Sequence, residues 1–319
     1  MVPFSKSEER DPAKVRPVGI KNTLFRLLHK VVIGANKAAF RDCLEPQQLA
    51  LAPGGAAKLV NSVRMLLEAR SDFVCISLDM KNAHNEVSQK SVIEALEKRP
   101  GLKHLSKHAA ICLASHQRLE SSGVPWGESG QGVTQGDPES GPEFNVAWHD
   151  DVVVLDDEVS SVGGMARFGN DDGYVIGPLE VIFAATDKFL RNVAAKHGLD
   201  HNVLKTKCYH ISGGIPPQAP RNMAPAGSLL NGVWFPGFLC YGVAIGSKGF
   251  VDHFLGSKIK QLSNEMDKVM EILKDDNQAA WVLLLTSLAH QLDYSLTLQY
   301  PRDIIPFASN LDNHIWSIL

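Results

Sequence analysis

The chain has few of the features that mark secreted, membrane-spanning or zinc-ribbon proteins. Its five cysteines, Cys43, Cys75, Cys112, Cys208 and Cys240, form no CxxC pair and no zinc spacing, the usual sequence signs of a sulfur-ligated metal or a redox dithiol. Cys75 and Cys208 fall inside predicted strands, so the thiols read as small core hydrophobes in a reducing, intracellular compartment. The 12 histidines include no HExxH and no clustered ligand set. No apolar run reaches the roughly 18 residues of a membrane-crossing helix, and the opening VPFSKSEERD is polar, unlike a secretory leader. No membrane contact is expected. A formal net charge of only -3 argues against a strongly basic nucleic-acid binder.

What is there suffices for a large core: 319 residues, 44% hydrophobic, predict one or two domains. The charge is also uneven. Residues 1–42 carry nine Lys or Arg against four acids, whereas residues 137–180 carry eleven acids against the single Arg167. Part of that acidity is the run HDDVVVLDDE (149–158), which reads as a solvated helix face.

The middle of the chain alternates apolar patterns of period two and period 3.6. A strand is predicted over residues 73–78, helical material over about 92–148, and two short strands over 165–168 and 174–176 hinged on Asn170, Asp171, Asp172 and Gly173. An amphipathic helix follows from Leu179 with Gly198 as its stop, then a strand over 206–211. This is β-α-β-β-α-β, the split βαβ order of an α+β fold. In it the third strand lies antiparallel between the first two, so Asp79 at the end of the first strand comes beside the Asp171-Asp172 turn. Alone, an Asp-Asp pair before Gly is an ordinary turn. Three carboxylates brought together would repel unless a cation or a proton joined them. Oxygen donors of this kind suit Mg²⁺ or Mn²⁺, and a two-ion site can stabilise the attacking and leaving oxygens of nucleotidyl transfer together.

Between those carboxylates lies a glycine-dense segment, Ser121 to His149, with Gly123, Gly127, Gly130, Gly132, Gly136 and Gly141 followed by an apolar helix. Glycines let a backbone approach a ligand closely; a flexible surface loop is the plainer alternative. The segments LDMKNAHNEV, GVTQGDPESGP and FGNDDGYVIGP resemble the A, B and C motifs of reverse transcriptases, most closely the non-LTR retrotransposon type. KVRPVGI with the following helix resembles a fingers segment, GLDHNVLKTKCYHISG the D motif, and FLCYGVAIG the primer-grip turn, all in family order over most of residues 12–300.

The resemblance implies a right-hand polymerase palm with partial fingers and a helical thumb-like end: fingers over 1–69, palm over 70–212, and a primer-grip hairpin with helices over 213–319. It implies an RNA-directed DNA polymerase using Mg²⁺ or Mn²⁺, with an RNA template, a DNA primer and dNTPs as partners. Asp79 and Asp171 would be the principal metal ligands, joined by Asp172 and by Met80 next to Asp79. Arg16, with Lys6 assisting, would contact the triphosphate, since a guanidinium forks onto phosphate while an ammonium acts as a point charge. Gln135, Gly136 and Met80 would border the nucleotide, and Lys205 would neutralise or protonate the leaving pyrophosphate. His84 stands where the family has an aromatic sugar gate, so discrimination against ribonucleotides should be weaker. The usual aromatic-Ala-Asp-Asp reads Gly169-Asn170-Asp171-Asp172, with Phe168 one place back and Asn170 suited to a left-handed turn.

The first part of the fingers and any endonuclease, zinc-knuckle or ribonuclease H segment are absent from the pattern, as expected of a segment of a retroelement polyprotein or a decayed copy. An inactive remnant that only binds nucleic acid or protein partners is the competing expectation. An RNA-templated RNA polymerase fits the carboxylates but suits QGDP less well.

Overall fold

The structure, a computed structural model, describes residues 2–5, 15–18, 22–114, 117–121, 124–214, 216, 219, 220, 223–288 and 290–318, with backbone alone at 2–5, 15–18, 114, 117–121, 124–129, 317 and 318. Along the chain run β1 (Val2–Ser5), β2 (Val15–Val18), α1 (Thr23–Leu44), α2 (Gly55–Ala69), β3 (Val74–Asp79), α3 (Ala83–Glu86), α4 (Gln89–Lys98) and α5 (Ser106–Ala114). Then come β4 (Gln117–Ser121), β5 (Val124–Ser129), α6 (Ser140–Ser160), β6 (Met165–Gly169), β7 (Asp172–Gly177), α7 (Leu179–His197) and β8 (Lys207–Tyr209). The last part holds β9 (Ala224–Pro225), β10 (Gly227–Leu230), β11 (Val233–Cys240), β12 (Val243–Gly246), α8 (Lys248–Leu273), α9 (Asn277–Leu283), α10 (Asp293–Leu298) and α11 (Pro301–Ile318). The chain is a mixed α/β protein with a helical C-terminal region. It divides into two compact units: residues 1–59, 73–207 and 217–224 form one, and residues 60–72, 208–216 and 225–319 the other.

In the first unit β7 pairs antiparallel with β3 on one side and β6 on the other. β3 is a strand because VCISL offers β-branched and apolar side chains buried on both faces. Helices α6 and α7 pack on each other and on β6 and β7 respectively. Ile182, Phe183, Phe189 and Val193 form the buried stripe of α7. Gly198 ends that helix at φ 71°, a left-handed cap whose N–H donates to the Ala194 and Val193 carbonyls. Trp148 of α6 lies between Phe144, Phe168 and Phe189, at ring-centroid distances of 5.4, 5.1 and 5.9 Å. Each such ring, fully buried, contributes roughly 1.5–3 kcal/mol.

Two expectations need correction. Residues 117–121 and 124–129 pair as an antiparallel β-hairpin inside the stretch predicted helical. The acidic run is not one solvated face either, because Asp151 and Asp156 are buried. Asp151 accepts from Lys196 Nζ at 2.6 Å and bonds His197 Nε2 at 2.9 Å. Burial alone would raise the Asp151 pKa, but these hydrogen bonds outweigh it and hold it below the usual carboxylate value. Asp156 accepts from Arg167 Nη1 at 2.8 Å, the Ala166 N–H at 2.9 Å and Gln47 Nε2 at 3.0 Å.

In the second unit β10, β11 and β12 form an antiparallel meander. Its turns carry Asn231-Gly232 and Tyr241-Gly242, all four residues at positive φ, which is the two-residue hairpin geometry that glycine makes accessible. Leu262, Met266, Leu284, Leu288, Leu292 and Leu311 make one helical core cluster, so Leu262 and Met266 of α8 serve packing.

Candidate active site

The end of β3 and the β6–β7 turn form one carboxylate edge. The register runs from Val74 opposite Gly177 to Asp79 opposite Asp172. Residues directly opposite in an antiparallel pair share a sheet face, and like charges there destabilise the pair. Asn170 and Asp171 make the turn, with Asn170 at φ 56°, a conformation Asn adopts at little cost. Its Oδ1 accepts from Asn145 Nδ2 at 3.0 Å, fastening the turn to α6. Phe168 sits across the strand pair from Gly173, where any Cβ would land in the Phe168 ring. Phe168 therefore packs into the core behind the turn.

The chain after α7 returns along the end of β3. Lys81 N–H donates to the Asp200 carbonyl and Asn202 N–H to the Asp79 carbonyl, both at 2.7 Å. The Asn202 carbonyl then accepts from the Lys205 and Thr206 N–H groups. That turn delivers Lys205, whose Nζ lies 2.8 and 3.2 Å from the two Asp79 carboxylate oxygens. The Lys205 side chain is 51% exposed and that of Asp79 22%, so the pair borders solvent and contributes little to stability.

The structure thus brings Asp79, Asp171, Asp172 and Lys205 together. Met80 joins them through its backbone, its N–H reaching the Asp171 carbonyl at 3.4 Å, while its side chain is buried. The three aspartates, however, do not bring their oxygens to the spacing of a preformed cation cage; among the described residues that spacing is reached by His29, His108, Cys112 and Glu139 instead. His84 bonds Ser140 Oγ at 3.0 Å and packs on Phe144 at 4.6 Å between ring centroids, so α6 fixes its ring. Gln135 is half-buried and Gly136 exposed at φ 101° in the segment entering α6. Among the described residues of the glycine-dense segment, Gly132 closely approaches the chain itself, since a Cβ there would strike the Asn85 backbone. Arg16 pairs through its backbone with Phe4 in the β1–β2 ribbon; its side chain and all of Lys6 lie outside the described residues.

The sequence reading missed the histidine, cysteine and glutamate set. His108 and Cys112 stand four apart on α5, which puts them on one helix face. That spacing was the available signal. His29 and Glu139 come from α1 and the entry to α6, and only the fold joins them.

No family model matches this chain, and no curated protein does. Among solved structures it is similar to apo telomerase from Candida tropicalis, at 14% identity and TM-score 0.49, covering 76% of this chain and 46% of that one. The form truncated of its C-terminal domain gives 15% and 0.45, covering 70% and 44%. Telomerase from Candida albicans, in complex with a TWJ fragment of telomeric RNA, gives 12% and 0.46, covering 91% and 50%. The chain therefore spans half or less of the length of each of these chains.

Proposed function

We propose that this chain is the polymerase core of a reverse transcriptase of the non-LTR retrotransposon type, an RNA-directed DNA polymerase. The observation that carries the reading is the placement of Asp79 directly opposite Asp172, with Asp171 in the adjoining turn and Lys205 on Asp79. A turn with a purely structural role gains nothing from facing like charges, whereas hard divalent cations take carboxylate oxygens. On this reading residues 70–212 are the palm, 1–69 partial fingers, and 213–319 the primer-grip hairpin and thumb-like helices.

Asp79, Asp171 and Asp172 would hold Mg²⁺ or Mn²⁺, with Met80 beside them. When bound, the metal supplies positive charge at the attacking 3′-oxygen and the leaving phosphate oxygen. Lys205 neutralises Asp79 at rest and, once released, gives its proton to the leaving pyrophosphate. Arg16 grips the triphosphate with Lys6 as a second cation, Gln135 and Gly136 border the template and dNTP, and the fixed ring of His84 lies under the sugar. Catalysis is then positioning and electrostatics.

Extension of a DNA primer on an RNA template by the purified chain is the test. Metal-dependent dNTP incorporation is expected, reduced about 10²-fold or more by Asp79→Asn or Asp171→Asn, the scale of losing one charge-stabilising group. No extension with either metal would sink the reading and leave the inactive remnant that only binds nucleic acid or protein partners.

A further inference from the structure

His29, His108, Cys112 and Glu139 are drawn from α1, α5 and the residue before α6, and their ligand atoms all lie within 4.8 Å of one another. His29 is 1% exposed and Glu139 4%. Asp137 Oδ1 lies 2.7 Å from His29 Nδ1. A carboxylate accepts, so it fixes the proton on Nδ1 and leaves the Nε2 lone pair facing Cys112 Sγ at 3.9 Å. Cys112 Sγ is 3.7 Å from His108 Nε2, which is 2.8 Å from Glu139 Oε1.

These distances point to a missing centre. A thiol and an imidazole at 3.7 and 3.9 Å gain little from hydrogen bonding to each other. Zinc bound tetrahedrally at about 2.0–2.1 Å from nitrogen and about 2.3 Å from sulfur sets its N···S edges at roughly 3.5–3.6 Å, close to those seen. The His108–Glu139 contact would open by about 0.5 Å to become a nitrogen–oxygen edge of the same tetrahedron. Asp137 stands where an outer carboxylate orients a metal-bound imidazole through its other nitrogen.

We propose that His29 Nε2, His108 Nε2, Cys112 Sγ and a Glu139 oxygen bind one Zn²⁺, with Cys112 as thiolate and its proton released to solvent. Four protein donors leave no open position, so the site is structural and catalyses nothing. It ties α1 and α5 to the start of α6. The alternative is two independent histidine–carboxylate hydrogen bonds with a bystander thiol.

The test is metal content and Co²⁺ substitution of the full chain. About one zinc per chain should survive dialysis, and Co²⁺ should give intense tetrahedral d–d bands with a near-ultraviolet thiolate-to-cobalt transition. Cys112→Ser and His108→Gln should abolish that transition, whereas Cys43→Ser and Asp171→Asn should keep it. Saturating Zn²⁺ should raise the wild-type melting temperature by on the order of 10 °C, the linkage expected at a thousandfold excess over Kd, and should not do so in Cys112→Ser. A wild-type chain without stoichiometric zinc and without the thiolate transition overturns the proposal, even if the variants fail to fold. So does a transition that persists in Cys112→Ser or vanishes in Cys43→Ser.

Discussion

The first unit treats its aspartates in two opposite ways. Asp151 and Asp156 on α6 are buried and met by Lys196, His197, Arg167 and a backbone N–H. Asp79, Asp171 and Asp172 are grouped at the rim of the sheet, two of them directly opposite, with one half-exposed ammonium on Asp79. Protein donors satisfy the first set, which therefore holds structure. The second set gathers like charges at the sheet rim, offset at Asp79 by the Lys205 ammonium. Carboxylate partners distinguish the roles better than carboxylate density does.

Removing a member of the buried set should produce the largest effect. Asp156→Ala strips Arg167 and the Ala166 N–H of their shared acceptor and should cost about 3–5 kcal/mol, the usual loss on breaking a buried pair from one side. Chemical denaturation would read it; a loss under about 1 kcal/mol, the surface-pair range, would erase the contrast. Acid should act next, through the same helix. Desolvation, aided by Arg99, pushes His149 down to about 4. Its folded pKa lies below the unfolded one, so the unfolded chain binds the extra proton and stability falls as pH drops from about 6.5 to about 4, by at most about 3 kcal/mol. In His149→Leu the slope of stability against pH over that window should flatten; an unchanged slope would assign the acid sensitivity elsewhere. The smallest effect belongs to the rim. Asp171→Asn removes one of the gathered charges and should change metal-free stability by less than about 1 kcal/mol. A loss as large as that of Asp156→Ala would make the rim structural too.

Much of this was legible in the sequence, and the exceptions have physical causes. The strand ending at Asp79, the left-handed Asn170 and the Gly198 stop all follow from local rules of periodicity and backbone conformation, and they recur in the structure within a residue or two. The β4–β5 hairpin escaped because QRLESSGVPWGES has no alternating apolar face; its partner strand, not its own pattern, defines it. The acidic run misled because Asp and Glu read as solvated, while the partners of Asp151 and Asp156, Ser160 apart, lie 10 to 109 residues away. Proximity of His29 to Glu139 was invisible for the same reason. At the rim the sequence order and topology predicted adjacency of the aspartate backbones, but not that Lys205 would rest on Asp79.

The central claim is that the rim carboxylates take up a divalent cation. Mn²⁺ binding followed by electron paramagnetic resonance tests it most directly, measured in a Cys112→Ser background so that the histidine–cysteine cluster does not contribute. The account predicts saturable Mn²⁺ binding that Mg²⁺ competes for and that both Asp79→Asn and Asp171→Asn abolish. Binding of equal strength in the parent and in both variants would contradict it.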